Sequence, residues 1–96
     1  MTAQHSDEPI RMSVKIRYFA WMREKTGKGE EIVDLPAGTR TVADVVEWLK
    51  GRGPEYGEAF SRPGVVRAAL DQRHVQLTAS IAGAREIAFF PPVTGG

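Results

Sequence analysis

The residues FFPPVTGG at positions 89–96 are of types that serve chemistry better than they serve a core. Pro91 and Pro92 hold φ near the polyproline II value and have no N–H to give a sheet, so they end any strand before them and send the chain outward in one stiff direction. At about 3.1–3.5 Å per residue, the stretch from Pro91 through Val93 and Thr94 to Gly96 reaches about 20 Å, enough to enter a neighbour's pocket. Gly95 and Gly96 carry no Cβ, so they pass a constriction that any other residue would block and let a reacting group approach the backbone closely. The functional group left at the tip is the α-carboxyl of Gly96. With a pKa of about 3.5 it is ionised at neutral pH and a poor acyl donor, so a separate enzyme must activate it before a nucleophile takes its carbon. Glycine suits that step, because activation makes the Cα–H acidic and glycine has no chirality to lose. The competing reading is a frayed, inert end.

Little else in the chain offers chemistry. There are no cysteines, and the two histidines, His5 and His74, are too far apart in sequence to make a metal site by themselves. The 13 Lys+Arg against 12 Asp+Glu give a net charge of +1, too weak a field to point to nucleic acid. No apolar run approaches the about 20 residues of a membrane helix, and the opening MTAQHSDEPIR lacks the apolar centre of a signal peptide. The chain is therefore expected in the cytoplasm, with neither nucleic acid nor membrane as partner.

A chain of 96 residues fits one domain, divided here into an N-terminal extension over 1–11, a folded body over 12–90 and a tail over 91–96. SVKIRYFA alternates, with Val14, Ile16 and Tyr18 on one side and Lys15, Arg17 and Phe19 on the other, the period of a half-buried strand. WMREKTGKGEE reads as a helical turn or loop, and EEIVDL as a second strand that pairs back antiparallel. Val42, Val45, Val46 and Leu49 predict a helix over 42–50, with Thr41 as N-cap, Asp44 three residues on, and Gly51 closing it in the left-handed conformation. Between Pro54 and Gly64 at most a short helical turn fits. Two short strands around a turn at Asp71 and Gln72, then a turn at Gly83 and a last strand REIAFF, complete the order β, β, α, β, β, β. One apolar helix face and one sheet face must cover each other, which suits a small α+β roll of the ubiquitin kind.

The stretches EIAFFPPVTGG and VKIRYFAWMREKTG resemble the small-subunit family of molybdopterin synthase, over residues 13–96. The resemblance implies a β-grasp fold with a mixed sheet packed on one main helix. It implies that Gly96 is adenylated by an ATP-using enzyme related to ubiquitin activators and converted to a thiocarboxylate. The sulfur would go to precursor Z, forming the dithiolene inside a large subunit in a two-plus-two heterotetramer. This chain would bind no cofactor, and the catalytic pocket would lie on the large subunit. The sequence departs from the family pattern at AGARE, where only Gly83 and Glu86 keep to it, and at His74, where an apolar contact residue is expected.

Strand parity adds a partner surface. Phe19 falls on the wet side of the first strand; Phe90 falls there in the last, if Ile87 and Phe89 face the core. With those strands as neighbours, Phe19 and Phe90 form one exposed apolar patch at the root of the tail. Trp21 and Trp48 are read as core or rim, and His74 as a surface strand residue. Arg23, Glu24, Lys25, Arg40 and Lys50 are read as solvated surface, the basic ones also as possible contacts for an activating enzyme. Other functions open at this point are a sulfur carrier for thiamine or another pathway, a ubiquitin-like modifier whose glycine goes to a lysine amine, and a plain binding module.

Overall fold

The alternation in the first apolar stretch is realised as β1 (Met12–Tyr18), with Val14, Ile16 and Tyr18 buried and Lys15 and Arg17 half-exposed on the opposite face. A computed structural model of the chain describes residues 12–62 and 65–92. The extension over 1–11 and the tail residues Val93, Thr94, Gly95 and Gly96 lie outside the described residues. The remaining elements are α1 (Trp21–Thr26), β2 (Glu30–Leu35), α2 (Val42–Lys50), α3 (Pro54–Ala59), β3 (Arg67–Leu70), β4 (Arg73–Val75) and β5 (Glu86–Phe90). They build one mixed sheet in the order β2-β1-β5-β3-β4. Among the described residues only the β1–β5 pair is parallel; β1–β2, β5–β3 and β3–β4 are antiparallel.

One side of this sheet meets the helices. Val42, Val45 and Leu49 of α2 are buried against Val14, Ile16, Val33, Leu35, Ile87 and Phe89, and Val46 packs half-buried beside them. The N-terminus of α2 has the capping box that Thr41 and Asp44 predict: Thr41 Oγ1 accepts from the Asp44 N–H at 3.1 Å, and Asp44 Oδ2 accepts from the Thr41 N–H at 3.1 Å. The N–H groups of Val42 and Ala43 donate to Ala79 and Leu77 at 3.1 and 2.8 Å, so the long connection after β4 is tied to the start of the helix. At its other end the expectation for Gly51 fails. Gly51 sits at φ −80, ψ −2 in the right-handed region, because the chain turns straight into α3, and Arg52 N–H donates to Leu49 at 2.9 Å.

The two loosely read segments are both helices. α1 ends on Gly27, whose φ of +80 favours a residue without Cβ, and its N–H donates to the Arg23 carbonyl at 2.9 Å. In α3 Pro54 occupies the first turn, where a missing N–H costs nothing. Each helix is six residues, too short to stand alone, so both depend on packing. Trp21 bridges them by donating from Nε1 to the Ala59 carbonyl at 3.0 Å. Trp21 and Trp48 lie half-buried at the core's margin, as read from the sequence.

Glu31 fastens α3 to the sheet. Its Oε2 accepts from the Tyr18 hydroxyl at 2.7 Å, the Tyr56 hydroxyl at 2.8 Å and Arg52 Nη1 at 2.9 Å. Burial alone would raise this carboxyl; the bonds from Tyr18, Arg52 and Tyr56 outweigh it and hold the group below the usual carboxylate range. Burial, reinforced by the Glu31 carboxylate, pushes the Tyr18 phenol far up. Below this node Tyr18, Phe60 and Phe89 meet edge to face, with the Phe60 and Phe89 ring centres 5.0 Å apart.

Candidate functional site

Because β1 and β5 are parallel, Tyr18 and Phe89 lie side by side and both strands end at the same pole of the sheet. The chain leaves β1 through Phe19, whose N–H donates to the Phe89 carbonyl at 3.1 Å. It leaves β5 through Pro91 and Pro92, which carry no strand pairing. The tail is thus rooted beside Phe19, and its first two residues are half-buried there.

Parity on β5 is as the sequence implied. Phe89 is fully buried in the aromatic core, and Phe90 turns to the outer face and is half-buried. Phe19 is 38% exposed, one of two large apolar side chains among the described residues that stand out to water. Phe19 and Phe90 come together in one shallow groove of about 660 Å³, and Pro91 and Pro92 form its end. Phe19 and Phe90 thus share one hollow that runs up to Pro91 and Pro92.

The groove also contains residues that the sequence reading missed. Its floor is Ala88 of β5 and Ala69 of β3, directly paired across the two strands. Arg17 of β1 and His74 of β4 stand on either side of this floor, and Glu86 and Gln72 also line the groove. The Arg17 guanidinium carbon lies 5.1 Å from the centre of the Phe19 ring. The His74 ring centre lies 5.1 Å from that of Phe90. His74 is an exposed residue of β4, as expected, and it lies beside Phe90 at the position where the family pattern implies an apolar contact residue. The outward alanines were the available signal, since small residues at the wet positions of RAAL and EIAFF leave a hollow wherever those strands pair.

The turn that brings His74 and Gln72 to the groove is held by Asp71. Its Oδ1 accepts from the N–H groups of Arg85 and Glu86 at 2.9 and 3.0 Å, joining the β3–β4 turn to the start of β5. Asp71 and Gln72 both adopt positive φ, 49 and 73, the two-residue hairpin conformation that matches strand twist. Gly83 turns the AGARE segment at φ +78, in keeping with its expected role.

The groove is open and largely apolar, and its lining holds no thiol, hydroxyl or lysine amine. Arg23, Glu24, Arg40 and Lys25 are exposed, and Lys25 pairs with Glu58 at 3.5 Å. Lys50 is half-buried and reaches Glu47 at 3.4 Å. Among the described residues, no helix is long and apolar enough to cross a membrane.

Comparison with known proteins matches residues 16–96 to the model of the ThiS family. The chain is 32% identical over 83 residues to the molybdopterin synthase sulfur carrier subunit of Haemophilus influenzae and 30% identical over 83 residues to that of Escherichia coli. Each alignment covers 86% of this chain and 99% of the relative. The crystal structure of H. volcanii small archaeal modifier protein 1 superposes with a TM-score of 0.67 at 27% identity, covering 84% of this chain and 98% of that one. The fold shared with these proteins is the ubiquitin-like β-grasp, an α+β roll.

Proposed function

The chain belongs to the ThiS family, and from that premise we propose that it is the sulfur-carrier small subunit of a molybdopterin synthase. In this reading the carboxyl of Gly96 attacks ATP on a ubiquitin-activating-like adenylyltransferase, forming an acyl-adenylate and releasing pyrophosphate. A sulfur donor displaces AMP and leaves a thiocarboxylate. Each carrier passes one sulfur to precursor Z as an acyl thioester that water hydrolyses, returning Gly96 to the carboxylate, so two deliveries build the dithiolene of molybdopterin. ATP is held by the activating enzyme, and this chain needs no cofactor of its own. The bases and the substrate pocket belong to a large subunit, the assembly is a two-plus-two heterotetramer, and the setting is the cytoplasm. Pro91, Pro92, Val93, Thr94 and Gly95 thread the tail into the large subunit's pocket, while Phe19 and Phe90 hold the body on its surface.

The observation that best supports this reading is the groove at the tail's root. An exposed apolar hollow formed by Phe19, Phe90, Pro91 and Pro92 is what a carrier needs to be gripped while its end reacts elsewhere. The likeness to a small archaeal modifier protein favours a second reading, in which the activated glycine is joined to a lysine amine. Intact-mass analysis of the protein isolated from cells separates the two. A gain equal to replacing one oxygen by sulfur is the expected result. Isopeptide-linked ladders without that species would overturn the carrier reading in favour of the modifier.

A further inference from the structure

Strand register places four residues from four strands in one row across the outer sheet face: Arg17 opposite Ala88, Ala88 opposite Ala69, and Ala69 opposite His74. The row is low in the middle and high at both ends. Phe19 and Phe90 border it on the side of the tail. A hollow so floored and walled accepts apolar side chains from a covering surface.

Arg17 gives this hollow a chemical preference. Its Nε comes within 3.9 Å of Glu30 and its Nη1 within 3.7 Å of Glu86. Both distances exceed the about 2.7–2.9 Å of a charge-assisted hydrogen bond. Glu30 is also shared with Lys15 at 3.8 Å. Neither contact closes to hydrogen-bond distance and the guanidinium has no hydrogen bond to any other described residue, so its donors remain available to water. A surface that covers the groove removes that water. A guanidinium buried with open donors is costly, whereas its planar fork pairs bidentately with a carboxylate.

We infer that Arg17 selects the partner: the surface that covers the groove sets an apolar side chain over Ala69 and Ala88 and, beside it, a carboxylate against the Arg17 guanidinium. This rests on the reading above, in which the large subunit docks here. Arg17 is then a specificity-determining residue, and the partner's docking element is an apolar residue neighboured by Asp or Glu.

The test is calorimetric titration of the full chain with the purified large subunit of molybdopterin synthase from the same organism, at low and high potassium chloride. Wild type is compared with Arg17→Met, Arg17→Lys and Phe90→Ala, each first shown to unfold in urea as a folded protein does. Arg17→Met should weaken binding by about tenfold or more and flatten its salt dependence, because one screened charge pair is gone. Arg17→Lys should keep the salt dependence and lose part of the affinity, since the ammonium cannot form the fork. If Phe90→Ala weakens binding while Arg17→Met matches wild type at both salt concentrations, the inference about Arg17 is wrong and the docking reading stands. If Arg17→Met weakens binding with the salt dependence unchanged, the acceptor is a neutral carbonyl and the carboxylate is refuted. If Phe90→Ala binds as wild type does, the groove is not the docking face and the reading beneath the inference falls.

Discussion

Removing the Glu31 carboxylate should cost more than any other single polar change in this protein. Glu31→Ala strips the acceptor from two phenols at once. Tyr18 is 1% and Tyr56 4% exposed, and a buried hydroxyl left without a partner costs about 1–3 kcal/mol. The Glu31 side chain is itself 14% exposed, so water can enter the vacated space and rehydrate one phenol; the lower half of each range applies, for a total of about 2–4 kcal/mol. The Lys28 contact at 3.6 Å adds little, as surface ion pairs do. Against about 5–15 kcal/mol for a whole domain this is a large share, and in a domain of this size it lowers the melting temperature by about 10–20 °C. Urea unfolding at neutral pH, following the tryptophans, measures it. The pH dependence tests the cause. Because folding lowers the Glu31 pKa, its contribution is present above the unfolded value of about 4.5 and is lost as pH falls through the folded one. The stability difference between wild type and Glu31→Gln should therefore hold from neutral pH down to that value and shrink below it. A difference that stays constant into stronger acid, or a Glu31→Ala cost below about 1 kcal/mol, would refute this account of the node.

Two further outcomes follow from the sheet. Phe89→Ala and Phe90→Ala are neighbours on opposite faces of β5: the first empties a fully buried site and should cost about 3–5 kcal/mol, while the second should cost about 1 kcal/mol or less and act on docking instead. Thermal melts and titration with the large subunit read the two effects separately. Gln72 sits at φ 73 without being glycine, so Gln72→Gly should relieve the hairpin and stabilise the protein by about 0.5–1 kcal/mol, read as a rise in the urea midpoint at unchanged slope.

What the sequence revealed, it revealed where the physics is local. The alternation of β1, the capping box of α2 and the parity that separates Phe89 from Phe90 each depend on residues within a few positions of one another, and each is found in the structure. Gly51 departs from its local signal for the same reason in reverse: its conformation follows from where α3 packs, which no neighbouring residue announces. α1 and α3 were legible only as turns, because six-residue helices owe their existence to tertiary burial. The groove needed knowledge of pairing. Ala69 and Ala88 are unremarked small residues until β3 is known to lie beside β5, and Arg17 and His74 join them only through the neighbouring strands. Glu31 did leave a trace, since it shares parity with Val33 and Leu35, both buried. A charge at an inward position calls for partners, and Tyr18, Tyr56 and Arg52 are those partners.

The parallel pairing of β1 with β5 is what joins the candidate reacting end to the candidate gripping surface. Had β5 run antiparallel to β1, Pro91 and Pro92 would leave at the pole where β1 begins, a full strand length from Phe19. In the observed order the side chain that follows β1 and the side chain that ends β5 face the same solvent and flank the first two residues of the tail. The inward face of the same two strands carries Tyr18 and Phe89, locked through Phe60 to α3 and through Glu31 to β2. β5 thus has one rigid face and one receptive face, alternating residue by residue. A partner that closes over Phe19 and Phe90 meets a surface whose backbone is held by strand pairing on both sides, so binding need not order it, and Pro91 and Pro92 leave the sheet beside that surface.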